Sequence, residues 1–599
     1  MILGDGANGT LIASRGFDRT PYDQANLGAP DLVRDSHAAY YAAGSDFIET
    51  NTFMANRLRL EGLGLDVEAI NRAGARLARE VAGDRVVLGA MGPAGRHLQP
   101  LGTTPADQLR ESYVEQAIWL AEGGVDALIL ETFLDLDELV LAVDAVREAT
   151  GLPVVASRAF IEDGEALAEG LPQRVAQVLH DLDVAAIGAN CVVGPQRMVD
   201  IIRQVREVTD RPVLAFPTPG LPQLVRGQVV YDTEPEYFAR AASRLVEAGA
   251  TILGGCCGTR PEHIAALRRI IDKGDLKPAV RASVKHEVKE RKPLPESPPT
   301  ELRQKLGRKF VLSVEMDLPR GLNVAKVLAG SRQLKIAGAD VVDISDGARA
   351  RLRMNPLAAS KLIQDQVGIE VVMHFACRDR NLLAIQADLL GAHAMGVRNI
   401  LAITGDPANI GDYPSATSVF DVDAIGLVRI MSRFNEGVDL AGYSVGARCA
   451  FTIAVAYNPL AADADLELDR LMRKAEAGAH LVYTQPLYEL AHMEATAEAC
   501  GRAKLPFLAG VLPVRSSRHA EFMHHEVPGI EIPAALRKSM AEAATDEDAL
   551  EIGIAASQRL VESTRLISQG LYLMPPFGSP VVAQRVMEAL GSTPPPPIR

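Results

Sequence analysis

Three cysteines carry the clearest chemical potential in this sequence. Cys256 and Cys257 are adjacent, lie between Gly254-Gly255 and Gly258-Thr259, and follow the apolar run Ala250-Thr251-Ile252-Leu253. That pattern reads as a strand ending in a tight turn, with two sulfurs presented at its mouth. Cys191 follows a similar run, Val184 to Asn190. Three thiolates at strand ends can hold a zinc ion and leave its fourth position open, as in a catalytic rather than a structural zinc site. The alternative is that they are small buried hydrophobes, the commonest fate of a free cysteine. Their spacing is not that of a zinc finger, so the elements around them must decide.

Residues 1–275 contain eight short apolar runs that read as strands: Met1–Gly4, Asp46–Thr50, Val86–Met91, Val125–Glu131, Pro153–Phe160, Val184–Asn190, Pro212–Phe216 and Ala250–Leu253. Stretches of helical spacing separate them, such as Leu109–Ala121 and Leu136–Ala149. This alternation predicts a parallel sheet, and eight units in this length predict a (β/α)8 barrel. An open doubly wound sheet is disfavoured, because no Gly-x-Gly-x-x-Gly turn follows the first strand. Residues 276–300 break the pattern with Pro278, Pro293, Pro295, Pro298 and Pro299 among charged residues, which predicts a linker. From 301 the count restarts: Phe310–Met316, Val341–Ser345, Glu370–Phe375, Asn399–Thr404, Cys449–Tyr457, His480–Gln485, Pro506–Leu512 and Gly570–Met574. The stretch Ser516–Gln569 reads as extra helices, and 591–599 as a frayed tail. The expected fold is α/β, two (β/α)8 TIM barrels over 1–275 and 301–590 joined by a Pro- and charge-rich linker.

In 599 residues, 48% are hydrophobic and 23% charged, with mean hydropathy +0.06, the composition of a globular protein too long for one core. A net charge of −14 argues against nucleic-acid or anionic-membrane partners. No apolar run reaches the roughly 20 residues that span a bilayer, and Met1–Gly6 lacks the pattern of a signal peptide. Six cysteines are too sparse for a disulfide framework. A cytoplasmic location is expected, and homo-oligomerisation is left open.

Active sites of such barrels lie at the carboxyl ends of the strands. In the first half those ends carry Asp5-Gly6-Ala7-Asn8, Glu49-Thr50-Asn51-Thr52, Glu131-Thr132, Asn190-Cys191 and Gly255-Cys256-Cys257. Strands six and eight are separated by one neighbour, so their ends are about 10 Å apart, within reach of a shared metal. A zinc-bound thiol loses its proton at neutral pH yet stays nucleophilic, which suits alkyl transfer to a thiol. Asp5 and Glu131 could bind a substrate ammonium. Alternatively Asp5 and Asn8 cap a turn and Glu131 pairs with an arginine.

The Asp5–Thr10 start, Glu49–Phe53, Asn190-Cys191 and Gly254–Thr259 resemble the zinc-dependent homocysteine S-methyltransferases. The resemblance implies zinc on Cys191, Cys256 and Cys257, homocysteine sulfur in the fourth position, and contacts to homocysteine from Asp5, Gly6 and Glu131. The strand ends of the second half carry Glu315, Asp343, Ser345, His374, Asp406, Tyr457 and Gln485. With Asp343–Ala348, Cys377–Asn381, Asp388–His393 and Tyr483–Pro486, they resemble 5,10-methylenetetrahydrofolate reductase, a family that binds FAD. That resemblance implies Glu315 as general acid and Asp406 beside flavin and folate. It also implies Gln485 on the folate pterin, and Ser345, His374, Tyr457 and Lys474 along the FAD site. Met316-Asp317-Leu318-Pro319-Arg320 stands where the family has aromatic residues and a Pro-Pro pair, which leaves the electron donor open between NAD(P)H and another reductant. Together the halves resemble bacterial fusions of the two enzymes. The expected activities are methylation of homocysteine to methionine and reduction of methylenetetrahydrofolate to methyltetrahydrofolate. No cobalamin signature is present, since Asp35-Ser-His37 runs on to Tyr40. A sulfonium donor, S-methylmethionine or S-adenosylmethionine, is therefore expected. The rivals are methylfolate or a separate corrinoid protein as donor, with the second barrel a folate-binding scaffold. Cys377, Cys449 and Cys500 lack metal-like spacing and read as core or surface thiols.

Overall fold

The computed structural model describes residues 1–161, 167, 170–225, 228–274, 276, 293–347 and 350–590. Most of the expected linker and the whole expected tail lie outside the described residues. The chain forms two compact units, one over Met1–Gln99, Thr104–Pro293 and Leu440–Ser444, the other over Pro100–Thr103, Leu294–Asp439 and Val445–Arg599.

The first unit is built on eight parallel strands: β1 (Ile2–Leu3), β2 (Phe47–Glu49), β3 (Val86–Met91), β4 (Ala127–Phe133), β5 (Val154–Arg158), β6 (Ala186–Asn190), β7 (Val213–Phe216) and β10 (Ile252–Leu253). Their order is β1-β10-β7-β6-β5-β4-β3-β2. A short antiparallel hairpin, β8 (Gln223–Val225) with β9 (Gln228–Val230), follows β7 and was not expected. The remaining seam, β1 to β2, has no regular ladder. One backbone bond crosses it, Asp46 N to Leu3 O at 2.6 Å. Side chains supply more: Leu3 N donates to Asp46 Oδ2 at 2.7 Å, Glu49 N to Asp5 Oδ2 at 3.0 Å, Ser45 Oγ to Gly4 O at 3.2 Å and Asn8 Nδ2 to Glu49 O at 3.1 Å.

Helices form where the apolar spacing and the caps agree. Val67–Ala82 starts at Asp66, whose side chain accepts from Ala69 N, buries Ile70, Ala73 and Leu77, and stops at Gly83 with φ +59°. Leu136–Thr150 starts at Asp135 and stops at Gly151 with φ +66°. One apolar layer packs these helices on the strands, and a second fills the barrel with Phe47, Leu88, Ile129, Val155, Leu214 and Phe216.

The second unit is a closed barrel of eight parallel strands in sequence order: β11 (Val311–Met316), β12 (Val341–Ile344), β13 (Glu370–Ala376), β14 (Asn399–Ile403), β15 (Thr452–Tyr457), β16 (Leu481–Pro486), β17 (Phe507–Val511) and β18 (Gly570–Leu573). Backbone pairing of β18 with β11 closes it, from Val311 opposite Gly570 to Val314 opposite Leu573. Gly570 is required there, because a Cβ would lie 2.2 Å from Val311 O. Between β17 and β18 run three helices, Ser517–Glu526, Ala534–Ala541 and Asp546–Thr564, packed around Val514, Met523, Ile532 and Ala549. Both barrels of the α/β fold read from the sequence are thus present. Among the described residues no helix is long and apolar enough to cross a membrane.

Candidate functional site

At the carboxyl end of the first barrel, β7 sits between β6 and β10 and ties the cysteines together. Cys191 N donates to Phe216 O and Cys256 N to Pro217 O, each at 3.0 Å. Consecutive carbonyls, the last of β7 and the one after it, therefore set the positions of both sulfur-bearing turns. Cys191 and Val192 have φ of +61° and +60°, and Thr132 beside Glu131 has +63°. Left-handed backbone at three non-glycine residues costs energy and concentrates at functional sites. At Gly255 a Cβ would overlap the Thr259 side chain at 2.3 Å, so only glycine permits the turn into the cysteine pair.

The three sulfurs lie within 4.8 Å of one another, and Cys191 Sγ is 3.7 Å from Cys257 Sγ. Sulfurs 2.3 Å from a tetrahedral zinc are about 3.8 Å apart, so the cluster fits the metal. No pair is disulfide-bonded. Hydrogen bonds from Cys256 and Cys257 hold the Cys191 thiol down to about 3, while Cys257 is pushed up to about 12. A thiolate is thus favoured in the group. Cys377, Cys449 and Cys500 are buried elsewhere.

Beside the sulfurs lie three buried acids: Asp5 after β1, Glu49 ending β2 and Glu131 on β4, which are 1%, 8% and 9% exposed. Asp5 Oδ2 accepts from Glu49 N and, at 3.5 Å, from Asn8 Nδ2. Glu131 Oε2 accepts from Asn190 Nδ2 at 3.1 Å. Asn190 is the hub of this wall. Its Nδ2 also donates to Thr132 Oγ1, its Oδ1 accepts from Thr132 N and Ser157 Oγ, and its Nδ2 lies 3.7 Å from Cys256 Sγ. Asp5 Oδ1, Asn8 Oδ1 and Glu49 Oε1 are buried without a hydrogen-bond partner. Burial raises all three carboxyls. Glu131 and Asp5 raise Glu49 further, and Cys191 helps push Glu131 up to about 7. Among the described residues no lysine or arginine charge acts on Glu49 or Glu131, so the alternative of a Glu131–arginine pair is not met. Gly6 passes under the cysteine turn, where a Cβ would be 2.9 Å from Thr259 O.

The second barrel arranges its acids differently. Glu315 on β11 accepts from the Tyr572 hydroxyl of β18. Asp343 on β12 accepts from Ser313 Oγ, which lies 3.0 Å from the Tyr483 hydroxyl. His374 on β13 places Nε2 at 3.7 Å from Asp343 Oδ1, and both atoms lack a hydrogen-bond partner. Burial raises the Glu315 carboxyl, partly offset by His374 and Tyr572. Burial works against a charged His374, but Asp343 and Glu315 outweigh it and the imidazole rises above its usual range.

Ser345 is half-buried past β12, and Asp406 and Gln485 are exposed at the ends of β14 and β16. The register of β16 shifts between Tyr483 and Pro486, around Gln485. Tyr457 ends β15, and Lys474 Nζ, buried, donates to Ala456 O at 2.7 Å on the same strand. A cavity of about 300 Å³ is lined by Arg351, Arg353, Arg378, Arg380, Asp379 and Asp346, which follows Ser345 in the chain. Glu315 and His374 therefore meet inside the barrel, while Ser345, Asp406 and Gln485 stand on its rim.

Residues 2–271 match the homocysteine S-methyltransferase family and residues 301–574 the methylenetetrahydrofolate reductase family. Each match falls on one of the two barrels. The chain is 33% identical over 287 residues to a methionine synthase of Mycobacterium leprae (strain TN), and 32% identical over 286 residues to that of Mycobacterium tuberculosis (strain ATCC 25618 / H37Rv). Each match covers 44% of this chain and 24% of the relative, so the chain spans about a quarter of the length of the curated relatives it matches. The metallated homocysteine methyltransferase MmuM of Escherichia coli is 23% identical, over 45% of this chain and 96% of that one, with a TM-score of 0.39.

Proposed function

We propose that the first barrel methylates homocysteine to methionine and that the second reduces 5,10-methylenetetrahydrofolate to 5-methyltetrahydrofolate. The observation that carries the first assignment is three clustered cysteines beside buried carboxyls, of which Glu49 and Glu131 have no cation of their own. A zwitterionic aminothiol supplies what that site lacks: a sulfur for the metal and an ammonium for the acids. The rise of Glu131 from the ordinary carboxylate value to about 7 corresponds to about 3 kcal/mol of disfavour for its charged form. A charge-assisted hydrogen bond to an ammonium contributes roughly 1.5–3 kcal/mol, enough to offset most of it.

Cys191, Cys256 and Cys257 would hold zinc, which would supply the acidification that makes a fourth sulfur a thiolate at neutral pH. Asp5 and Glu131 would receive the substrate ammonium, and Gly6, whose lack of a Cβ lets the chain pass under the cysteine turn, would contact the substrate through its backbone. In the second barrel Ser345, His374, Asp406, Tyr457 and Lys474 would hold FAD, with the arginine-lined cavity that includes Asp346 suited to a diphosphate. The buried, unpartnered His374 Nε2 and the open polar rim fit a flat ring bearing hydrogen-bonding atoms. FAD would supply hydride transfer from NAD(P)H or another reductant to the folate methylene carbon. Glu315, raised by burial and bonded to Tyr572, holds the proton that opens the folate imidazolidine ring to the 5-iminium cation. Asp406 stabilises that cation, and Gln485 hydrogen-bonds the pterin. The free thiols and the folate substrate fit a cytoplasmic enzyme.

A sulfonium donor, S-methylmethionine or S-adenosylmethionine, suits the methyl transfer because its positive charge makes the methyl group electrophilic. The likeness of part of the chain to methionine synthases favours a second reading, in which methylfolate or a separate corrinoid protein donates the methyl group and the second barrel presents folate. Methionine formation from homocysteine, assayed in parallel with S-methylmethionine, S-adenosylmethionine and 5-methyltetrahydrofolate, with and without a corrinoid protein, separates the two. Turnover with a sulfonium alone supports the first reading. Turnover only with methylfolate or the corrinoid protein supports the second.

A further inference from the structure

We propose that Glu49 is a positioning residue that sets the first barrel's selectivity for an α-amino thiol, by holding Glu131 toward the ammonium while its own main chain holds Asp5. The inference rests on the homocysteine reading above. Neither the cysteine cluster nor the pair Asp5 and Glu131 explains why a third acid is buried here.

Glu49 touches both of the other acids. Its backbone N–H donates to Asp5 Oδ2 at 3.0 Å, its backbone carbonyl accepts from Asn8 Nδ2 at 3.1 Å, and its buried carboxyl is close enough to Glu131 and Asp5 for both to raise it. Asn8 Nδ2 also approaches Asp5 at 3.5 Å, so one asparagine and one glutamate main chain fix the Asp5 carboxylate. Asn190 Nδ2 donates to Glu131, and the neighbouring Glu49 carboxyl also acts on it.

The three acids have different donors. Asp5 receives two N–H groups and Glu131 receives one. Glu49 Oε1 is buried with no partner, and no described donor is directed at it. Three carboxylates facing one ammonium would leave two surplus negative charges in a buried site, which is strongly unfavourable. The acid without a donor is the one that retains its proton, and a neutral carboxyl can donate to its neighbour. Burial and the two nearby acids raise Glu49 in the same direction. As a neutral donor Glu49 orients Glu131 and lowers the surplus charge. The converging atoms of Asp5, Asn8 and Glu131 then define a place for one ammonium.

The test compares homocysteine with 4-mercaptobutanoate, which has the same thiol, chain length and carboxylate but no amine. Isothermal titration calorimetry on the zinc-loaded full-length chain reads binding without requiring turnover. The wild-type protein should prefer homocysteine by about 10- to 100-fold, the range of one charge-assisted contact. Glu49→Leu should reduce that preference to less than about threefold by weakening homocysteine alone, since hydrogen bonds to a charged group carry the difference. Glu49→Gln keeps a side-chain N–H donor for Glu131 and should retain the preference. Unchanged preference in the leucine variant overturns the proposal. So does equal weakening of both thiols, which is the mark of a structural role, and so does a glutamine variant as impaired as leucine. If the wild-type protein binds both thiols equally, the homocysteine chemistry stands and the role of Glu49 falls. If it binds neither, the homocysteine reading itself falls.

Discussion

Two barrels of one architecture bury acids at the same end and neutralise them in opposite ways. In the first, Asp5, Glu49 and Glu131 face one another, and no cation from the described residues acts on Glu49 or Glu131. In the second, Asp343 and Glu315 act on His374, and hydroxyls of Ser313 and Tyr572 donate to them. The first site is left incomplete until a positively charged ligand arrives, whereas the second is largely satisfied by its own side chains. That difference matches the proposed substrates. Homocysteine brings an ammonium, but methylenetetrahydrofolate becomes cationic only during reaction, so its proton donor must be held ready beforehand.

The sharpest way to separate the halves is to remove a sulfur. Cys256→Ser and Cys257→Ser should each lose zinc, measured by metal analysis. Homocysteine methylation should fall by more than about 100-fold, the upper end for losing a group that only orients a ligand. Folate reduction should be unchanged. A serine variant with one bound zinc and full methylation would remove that cysteine from the site.

The reciprocal experiment is Glu315→Gln, which should leave FAD bound and reducible but slow folate reduction by roughly 10²- to 10⁴-fold, the span of general acid catalysis. Methyl transfer should not move. Normal folate turnover would rule out Glu315 as the proton source.

Smaller effects come from two histidines that titrate in opposite senses. His37, in the helix Pro30–Ala42, is fully buried, neither ring nitrogen has a partner, and burial pulls it down to about 4. It binds its proton more weakly folded than unfolded, so stability is lost as pH falls from about 6.5 to 4, by up to about 3 kcal/mol. His37→Leu should remove that part of the acid sensitivity in urea unfolding of the first barrel, and an identical pH slope in both proteins would contradict the account. His374 is raised, so its contribution is present below about 6.5 and is lost as pH rises through its folded value. Asp343→Asn removes a charge that raises it, and an NMR titration of the imidazole should show a lower midpoint. An unmoved midpoint would remove Asp343 as the cause.

The sixteen barrel strands are legible in the sequence because parallel strands buried on both faces read as short apolar runs. The hairpin β8–β9 is not, since three residues on each side are too few to show an alternation. The cysteines stand out because glycines and a preceding apolar run fix them at a strand end. Glu49 lies within a stretch that resembles the methyltransferases, yet it does not stand out as a site residue. In the fully buried β2, residue type does not tell which side chain points toward the mouth. Tyr572 is hidden for a similar reason, because in Gly570–Leu573 it reads as one more core residue until its hydroxyl is seen on Glu315. Lys474 reads as a cofactor contact, but helical spacing carries no sign of the Ala456 carbonyl that holds its ammonium.

The irregular seam of the first barrel has a mechanical consequence. Asp5 links β1 to β2 through Glu49 N and also belongs to the group of acids proposed to receive the substrate. Closure of the barrel and occupation of its mouth thus share one carboxylate. An aminothiol that immobilises Asp5 should stiffen the whole β1–β2 junction, and hydrogen–deuterium exchange at the Glu49 amide would register ligand arrival as a change in the rigidity of the scaffold itself.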